Sequence, residues 1–291
     1  HLSLRRQRQM CIRDRELRMG PSGPMGLPTP PPLGASALPQ GTFDGESVMV
    51  TGGGTGLGRA IAERLATEGA DVAICARNAG EVAETVSALK YMGVQATGTD
   101  VDVGNELDLK SWINQAASEL GGLDILIANV SALAGDNSAA AWRGAFDIDM
   151  MGTIHTIDGA LPHIEKSETG AIVAISSVSA LQYFGGVRAY NSMKAALINH
   201  MSNLAHALAP QGIRVNTVSP GTIYFEGGIW NRRELEMPEL FKGALAMNPM
   251  GRMGTPKEVA DATVFLCSPL ASFIAGTNLL VDGALSQGVQ Y

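Results

Sequence analysis

Seven short runs of β-branched and aliphatic residues recur along the chain at intervals long enough for a helix. The runs are SVMVT (47–51), DVAICA (71–76), VQATGT (94–99), LDILIA (123–128), GAIVAIS (170–176), IRVNTVS (213–219) and NLLVDG (278–283). Between them lie amphipathic stretches such as GRAIAERLATEG and NELDLKSWINQAASEL. Strands that are apolar on both faces and separated by helix-length segments predict a parallel sheet covered by helices on both sides. Right-handed crossovers then give a doubly wound α/β fold, whose ligands bind beyond the carboxyl ends of the strands.

This rhythm begins at Asp44 and runs as a single domain to residue 291, with no internal repeat. Residues 1–43 read differently. The first 18 carry six arginines (Arg5, Arg6, Arg8, Arg13, Arg15, Arg18) against Asp14 and Glu16, and residues 21–39 hold seven of the fourteen prolines. Such a stretch builds no packed core, so a flexible leader is expected. The string RRQRQMCIRDR resembles translated sequencing-adapter read-through, and on that reading the natural start is Met19 or Met25. Without residues 1–18 the net charge moves from −7 to −11. Either value leaves no electrostatic footprint for nucleic acid.

No uninterrupted apolar run reaches about 18 residues, so no membrane span is expected. Cys11, Cys75 and Cys267 are odd in number and lack metal spacing, which fits a reducing compartment and an expected cytoplasmic location. His155, His163, His200 and His206 fall on helix-length segments without a supporting cysteine or carboxylate cluster, so no metal is expected.

Five glycines in the seven residues 52–58 separate the first strand from the first helix. Glycines allow positive φ and close backbone approach, and a helix N-terminus offers free N–H groups and a positive dipole end. Together they suit a pyrophosphate and make the fold Rossmann-type. The spacing Thr51-Gly52-x-x-x-Gly56-x-Gly58 resembles that of the short-chain dehydrogenase/reductase family. By this resemblance Gly52, Thr55, Gly56, Leu57 and Gly58 would bind the cofactor.

The end of the second strand chooses between cofactors. An NAD-selecting fold places an acidic residue there for the ribose 2′-hydroxyl. This chain has Ala76 followed by Arg77, and a guanidinium can pair with a 2′-phosphate. NADP (NADPH) is therefore expected rather than NAD. By family resemblance Asp100 and Val101 hold the adenine. Asn129 is retained from the family's Asn-Asn-Ala-Gly, which here reads Ala128-Asn129-Val130-Ser131.

Ser177 lies thirteen residues before Tyr190, and Lys194 lies four after it. At spacing i, i+4 on a helix, tyrosine and lysine share one face. With the glycine cluster upstream, the three resemble the family's catalytic triad, in a match that spans about 245 residues. The resemblance implies Tyr190 as general acid/base, Ser177 positioning the carbonyl oxygen, and Lys194 binding the nicotinamide ribose. The Lys194 ammonium is also expected to lower the Tyr190 pKa. The family's fourth member, an asparagine acting through its backbone carbonyl, is replaced by Asp149. After the sixth strand, Pro220, Gly221 and Ile223 would line the nicotinamide side. Tyr183, Phe184, Tyr224, Phe225, Trp230, Met237 and Met247 suggest an apolar pocket, with Gly227-Gly228 as a hinge.

These residues predict an NADP-dependent, 3-oxoacyl reductase-like enzyme acting on a small carbonyl substrate, apolar or an acyl thioester. The alternatives are an enoyl- or dienoyl-thioester reductase, suggested by Asp149, and a cofactor-binding protein without turnover. Residues 141–166 and 189–209 carry apolar faces that relatives pair across dimers, so a homotetramer is expected.

Overall fold

In a computed structural model, which describes residues 38–39, 41–184 and 186–288, seven parallel strands pair in the order β3-β2-β1-β4-β5-β6-β7. They are β1 (Ser47–Thr51), β2 (Asp71–Ala76), β3 (Ala96–Asp100), β4 (Ile125–Ala128), β5 (Ala171–Ile175), β6 (Arg214–Pro220) and β7 (Asn278–Val281). Helices occupy the connections: α1 (Gly56–Thr67), α2 (Ala79–Tyr91), α3 (Glu106–Leu120), α4 (Ala139–Ala145), α5 (Gly152–Ile164) and α6 (Ala189–Leu208). Beyond β6 follow α7 (Ile229–Glu236), α8 (Pro238–Ala246) and α9 (Pro256–Cys267). The doubly wound parallel sheet expected from the sequence is present. Residues 1–37, with most of the Arg- and Pro-rich leader and both candidate start methionines, lie outside the described residues.

Alternation along the strands divides the core between the two faces of the sheet. Val48 and Val50 of β1 join Ile61 and Leu65 of α1 and Val259 and Val264 of α9 on one side. Met49 points the other way, to Leu109, Trp112 and Ile113 of α3, Ile157 of α5 and Met201 of α6. Two strands start two residues later than their apolar runs. β3 begins at Ala96 because Gln95 is held by the Asp71 carboxylate, through both its backbone and its side-chain amide. β4 begins at Ile125 because Asp124 is tied to Ser47, accepting from its amide at 2.8 Å and donating to its carbonyl at 2.9 Å.

One interruption bears on the site. Between α4 and α5, Phe146–Met151 form a π-helical turn instead of continuing the α-helix. The turn widens the backbone by one residue and carries Asp149 into the interior, where it is fully buried. Among the described residues no helix is long and apolar enough to cross a membrane.

Next to the edge strand β7, Arg214 at the start of β6 ties the sheet to α9. Its guanidinium donates to the carbonyls of Leu266, Cys267 (2.7 Å) and Ala271 (3.3 Å), satisfying the C-terminal end of α9. Arg214→Met keeps the stem and leaves these carbonyls unpaired. We expect a stability loss of about 2 kcal/mol in urea melts, from the orphaned acceptors and the lost charge at a helix C-terminus. An unchanged midpoint would show that water satisfies α9 equally well.

Candidate active site

Because every strand runs the same way, the carboxyl ends of β1, β2, β4, β5 and β6 share one edge, and the sequence-predicted residues sit there. The turn after β1 is fixed by close approach. A Cβ at Gly58 would lie 2.1 Å from the Gly52 carbonyl oxygen, and one at Gly53 would lie 2.7 Å from the Ile74 side chain. Gly52 and Gly56 take φ of +66° and +57°, which side-chain-bearing residues rarely adopt. Thr55 caps α1 with extended backbone and no side-chain bond, so its hydroxyl is uncommitted to the helix. Leu57 packs on the core beneath the turn.

Asn129 anchors this turn to β4. Its amide donates to the Thr51 hydroxyl (3.1 Å), and its side-chain nitrogen donates to the carbonyls of Thr51 (3.3 Å) and Gly52 (3.2 Å). Thr51 thus acts as a brace that the motif spacing alone did not single out.

At the end of β2, Arg77 is exposed, and Asn78 beside it caps α2 by accepting from the amides of Gly80 and Glu81. Asp100 is exposed at the end of β3, while Val101 is buried and its amide donates to the Ala76 carbonyl at 3.0 Å. Pro220 closes β6, and the Gly221 amide donates to Val281. Ile223 bridges to Gly254 through the amide of Tyr224 and the carbonyl of Thr222, which leaves its own backbone groups outside the bridge.

The second half of the edge gathers Ser177, Tyr190, Lys194 and Asp149. Lys194 is only 2% exposed. Its Nζ donates to the Ile175 carbonyl at 3.0 Å, lies 3.2 Å from Asp149 Oδ1, and stands 5.9 Å from the centre of the Tyr190 ring. The contact with Asp149 is an ion pair and not a well-directed hydrogen bond, and Oδ1 has no hydrogen-bond partner of its own. Asp149 Oδ2 accepts from the Ala132 amide at 3.0 Å. Ser176 fixes the lysine from behind, its hydroxyl donating to the Lys194 carbonyl at 2.9 Å.

Asp149 therefore makes a contact that the resemblance did not imply. Its side chain, not only its backbone, reaches the lysine, and its carbonyl is already engaged by the Thr153 hydroxyl at 2.9 Å. The π-turn is the cause, and nothing in the run FDIDMM announces it.

The expected lowering of the Tyr190 pKa is also corrected. Burial pushes the phenol up to about 12; a hydrogen bond with Ser177 opposes this, and the Asp149 charge adds to it. The side chain as a whole is half-exposed, so the rise belongs to the crowded surroundings of the hydroxyl. With Asp149 beside it, the Lys194 cation does not act on the phenol as an isolated charge. Burial lowers the Lys194 pKa, and Asp149 pulls it back up. Ser177 Oγ accepts from both the amide (3.2 Å) and the hydroxyl (2.9 Å) of Ser179.

The segment expected to line the substrate pocket divides. Phe225, just before the α7–α8 segment that the hinge would make a lid, lays its ring over the glycine turn. A Cβ at Gly56 would meet its Cζ at 2.8 Å, and one at Gly228 would meet its Cε1 at 2.9 Å. Tyr224 is committed within the lid, donating to Glu234, accepting from Asn231 (3.0 Å) and meeting Phe241 edge-on. Tyr183, Met237 and Met247 are mainly exposed.

The residues present fit a dinucleotide: a side-chain-free turn at a helix N-terminus, an exposed arginine after β2, and a buried lysine beside a phenol at one edge.

Comparison with known proteins agrees with this geometry. The family model described as enoyl-(acyl carrier protein) reductase matches residues 52–286. Isoepoxydon dehydrogenase patN of Penicillium expansum is 38% identical over 251 residues, covering 85% of this chain and 97% of that protein. A solved 7α-hydroxysteroid dehydrogenase, complexed with NADH and 7-oxo glycochenodeoxycholic acid, superposes with a TM-score of 0.78 at 32% identity, covering 85% and 97% of the two chains. A Burkholderia cenocepacia J2315 short-chain dehydrogenase in complex with NADP gives a TM-score of 0.75 at 29% identity, covering 84% and 99%. Fold, edge geometry and relatives agree: this chain belongs to the short-chain dehydrogenase/reductase family.

Proposed function

We propose that the protein is an oxidoreductase that transfers a hydride between NADP(H) and a small carbonyl or secondary alcohol, with Tyr190 as the general acid and base. The observation that carries this reading is the meeting of Ser177, Tyr190 and buried Lys194 beside a turn where side chains cannot fit. When bound, the nicotinamide cofactor supplies the hydride. The chain's own part begins with binding, through the amides at the start of α1 and the guanidinium of Arg77. The relatives' cofactors divide between NADH and NADP, and the choice of NADP here rests on Arg77.

Reduction of a carbonyl leaves negative charge on its oxygen, which needs a donor and then a proton. On this reading the Ser177 hydroxyl holds that oxygen and the Tyr190 hydroxyl supplies the proton. A phenol that burial holds up stays protonated across neutral pH and is ready to donate to that oxygen. Reduction of an enoyl or dienoyl thioester is the second reading. It is favoured by Asp149 and by the description of the matching family model. The Ser177–Tyr190 hydrogen bond favours the carbonyl.

We further propose a cytoplasmic homotetramer. Supporting the assembly, Trp142 and Phe146 expose apolar surface along the helix that leads into α5. Light scattering at micromolar concentration should return four chains; a monomer would refute the assembly.

Tyr190→Phe removes one oxygen and should lower turnover by roughly two to four orders of magnitude while leaving NADPH affinity nearly unchanged. Near-normal turnover would mean that another group delivers the proton. Arg77→Ala should weaken NADPH by about 2–3 kcal/mol and NADH little, as read by fluorescence titration. An equal loss for both cofactors would remove Arg77 from the 2′-phosphate.

Asp149→Asn tests the ion pair through pH. Carbonyl reduction needs the neutral phenol, so its rate falls as pH rises through the Tyr190 pKa; alcohol oxidation needs tyrosinate and rises over the same range. Removing the Asp149 charge removes a cause that raises that pKa. Both transitions should therefore move to lower pH in the variant. A profile that stays put would show that Asp149 does not act on the phenol.

A further inference from the structure

The second strand ends in Ala76-Arg77, without a carboxylate for a ribose hydroxyl, but the helix after it brings one to the glycine turn. Glu81 stands in the first turn of α2. A Cβ placed on Gly54 would lie 3.5 Å from the Glu81 carboxylate oxygen Oε2 and 3.1 Å from the Ala76 side chain. Three ties hold the helix there. The Asn78 side chain accepts from the Glu81 amide at 3.2 Å. The Thr85 hydroxyl, one helical turn further along the same face, donates to the Gly54 carbonyl at 3.0 Å. Val82 is buried against β3, where a Cβ on Gly98 would come within 2.8 Å of its Cγ1.

Glu81 is half-buried, and among the described residues its carboxylate enters no ion pair and accepts no hydrogen bond. Other carboxylates where α1 meets α2 are treated differently: Glu63 and Glu84 are both taken by Arg59, at 2.8 and 2.7 Å. Arg77 lies four residues before Glu81 and is exposed, yet the two do not pair. One cation and one carboxylate therefore stand unpaired at the carboxyl end of β2. An unpaired carboxylate on the rim of a phosphate cradle repels phosphate, and a ligand that brings it a hydrogen-bond donor offsets that cost. A ribose hydroxyl is such a donor, whereas a phosphate dianion is not.

We propose that Glu81 is a specificity-determining residue of the cofactor site, accepting from the adenosine 2′-hydroxyl of NAD(H) and repelling the 2′-phosphate of NADP(H). It opposes Arg77, so the chain binds both nicotinamide cofactors and its preference for NADP is narrow. This role rests on the dinucleotide reading of the edge and adds a second residue to the choice at the 2′ position.

Calorimetric titration with NADH and NADPH reads this without turnover. The parent enzyme should bind both. Glu81→Gln keeps the size of the side chain and removes its charge. It should tighten NADPH about three- to tenfold and weaken NADH about threefold, so that the ratio of the two affinities moves by about tenfold or more. The gain for NADPH should shrink as salt rises. Adenosine 5′-monophosphate and adenosine 2′,5′-bisphosphate should show the same shift in ratio, which separates the ribose from the nicotinamide end and from Tyr190. An unchanged ratio in Glu81→Gln, or equal weakening of both cofactors, overturns the role while the dinucleotide reading stands. A parent that binds NADPH and not NADH overturns it as well. A parent that binds neither cofactor removes the role and the dinucleotide reading together.

Discussion

An ammonium buried to 2% exposure must be neutralised and hydrogen-bonded where it lies, and much of the active edge follows from how Lys194 meets that demand. Three elements contribute. The last carbonyl of β5 accepts a hydrogen bond from the ammonium, the π-turn delivers the Asp149 carboxylate, and the Ser176 hydroxyl holds the lysine's own carbonyl. These contacts bring α6, the π-turn and β5 together at a single point. Tyr190, one helical turn earlier on α6, is positioned by the same arrangement. An uncompensated charge at this depth would destabilise by several kcal/mol, so the group that serves the chemistry also constrains the packing.

The glycine turn is governed by a different demand. There the requirement is close approach, met by leaving out side chains at Gly53 and Gly58, where Ile74 and the Gly52 carbonyl already lie, and by bracing the backbone with Thr51 and Asn129.

Most of this was legible in the sequence because it rests on local pattern. The strands announced themselves through residues apolar on both faces, and the glycine turn through composition. Ser177, Tyr190 and Lys194 fell together because their spacing carries through a strand, a short 3₁₀ turn and a helix. What escaped depends on contacts between distant segments. The inward turn of Asp149 needs a π-helical step whose sequence reads as ordinary helix. The raised phenol pKa of Tyr190 needs the burial of its hydroxyl and the charge of Asp149, 41 positions earlier in the chain. The position of Phe225 over Gly56 depends on a contact between segments about 170 residues apart, which no local pattern announces.

That last ring has a thermodynamic consequence. Phe225 fills the space above Gly56 and bears on Gly228 at the head of α7, so one side chain contacts both the nucleotide turn and the lid. Any ligand that occupies the space over Gly56 must first unpack a largely apolar side chain, at a cost of about 1.5–3 kcal/mol in buried surface. That work is subtracted from the ligand's apparent affinity. By linkage the reverse holds equally: whatever draws α7 away from the turn tightens binding there by the same factor. A single phenyl ring thus makes occupancy of one half of the cleft a variable that the other half can read.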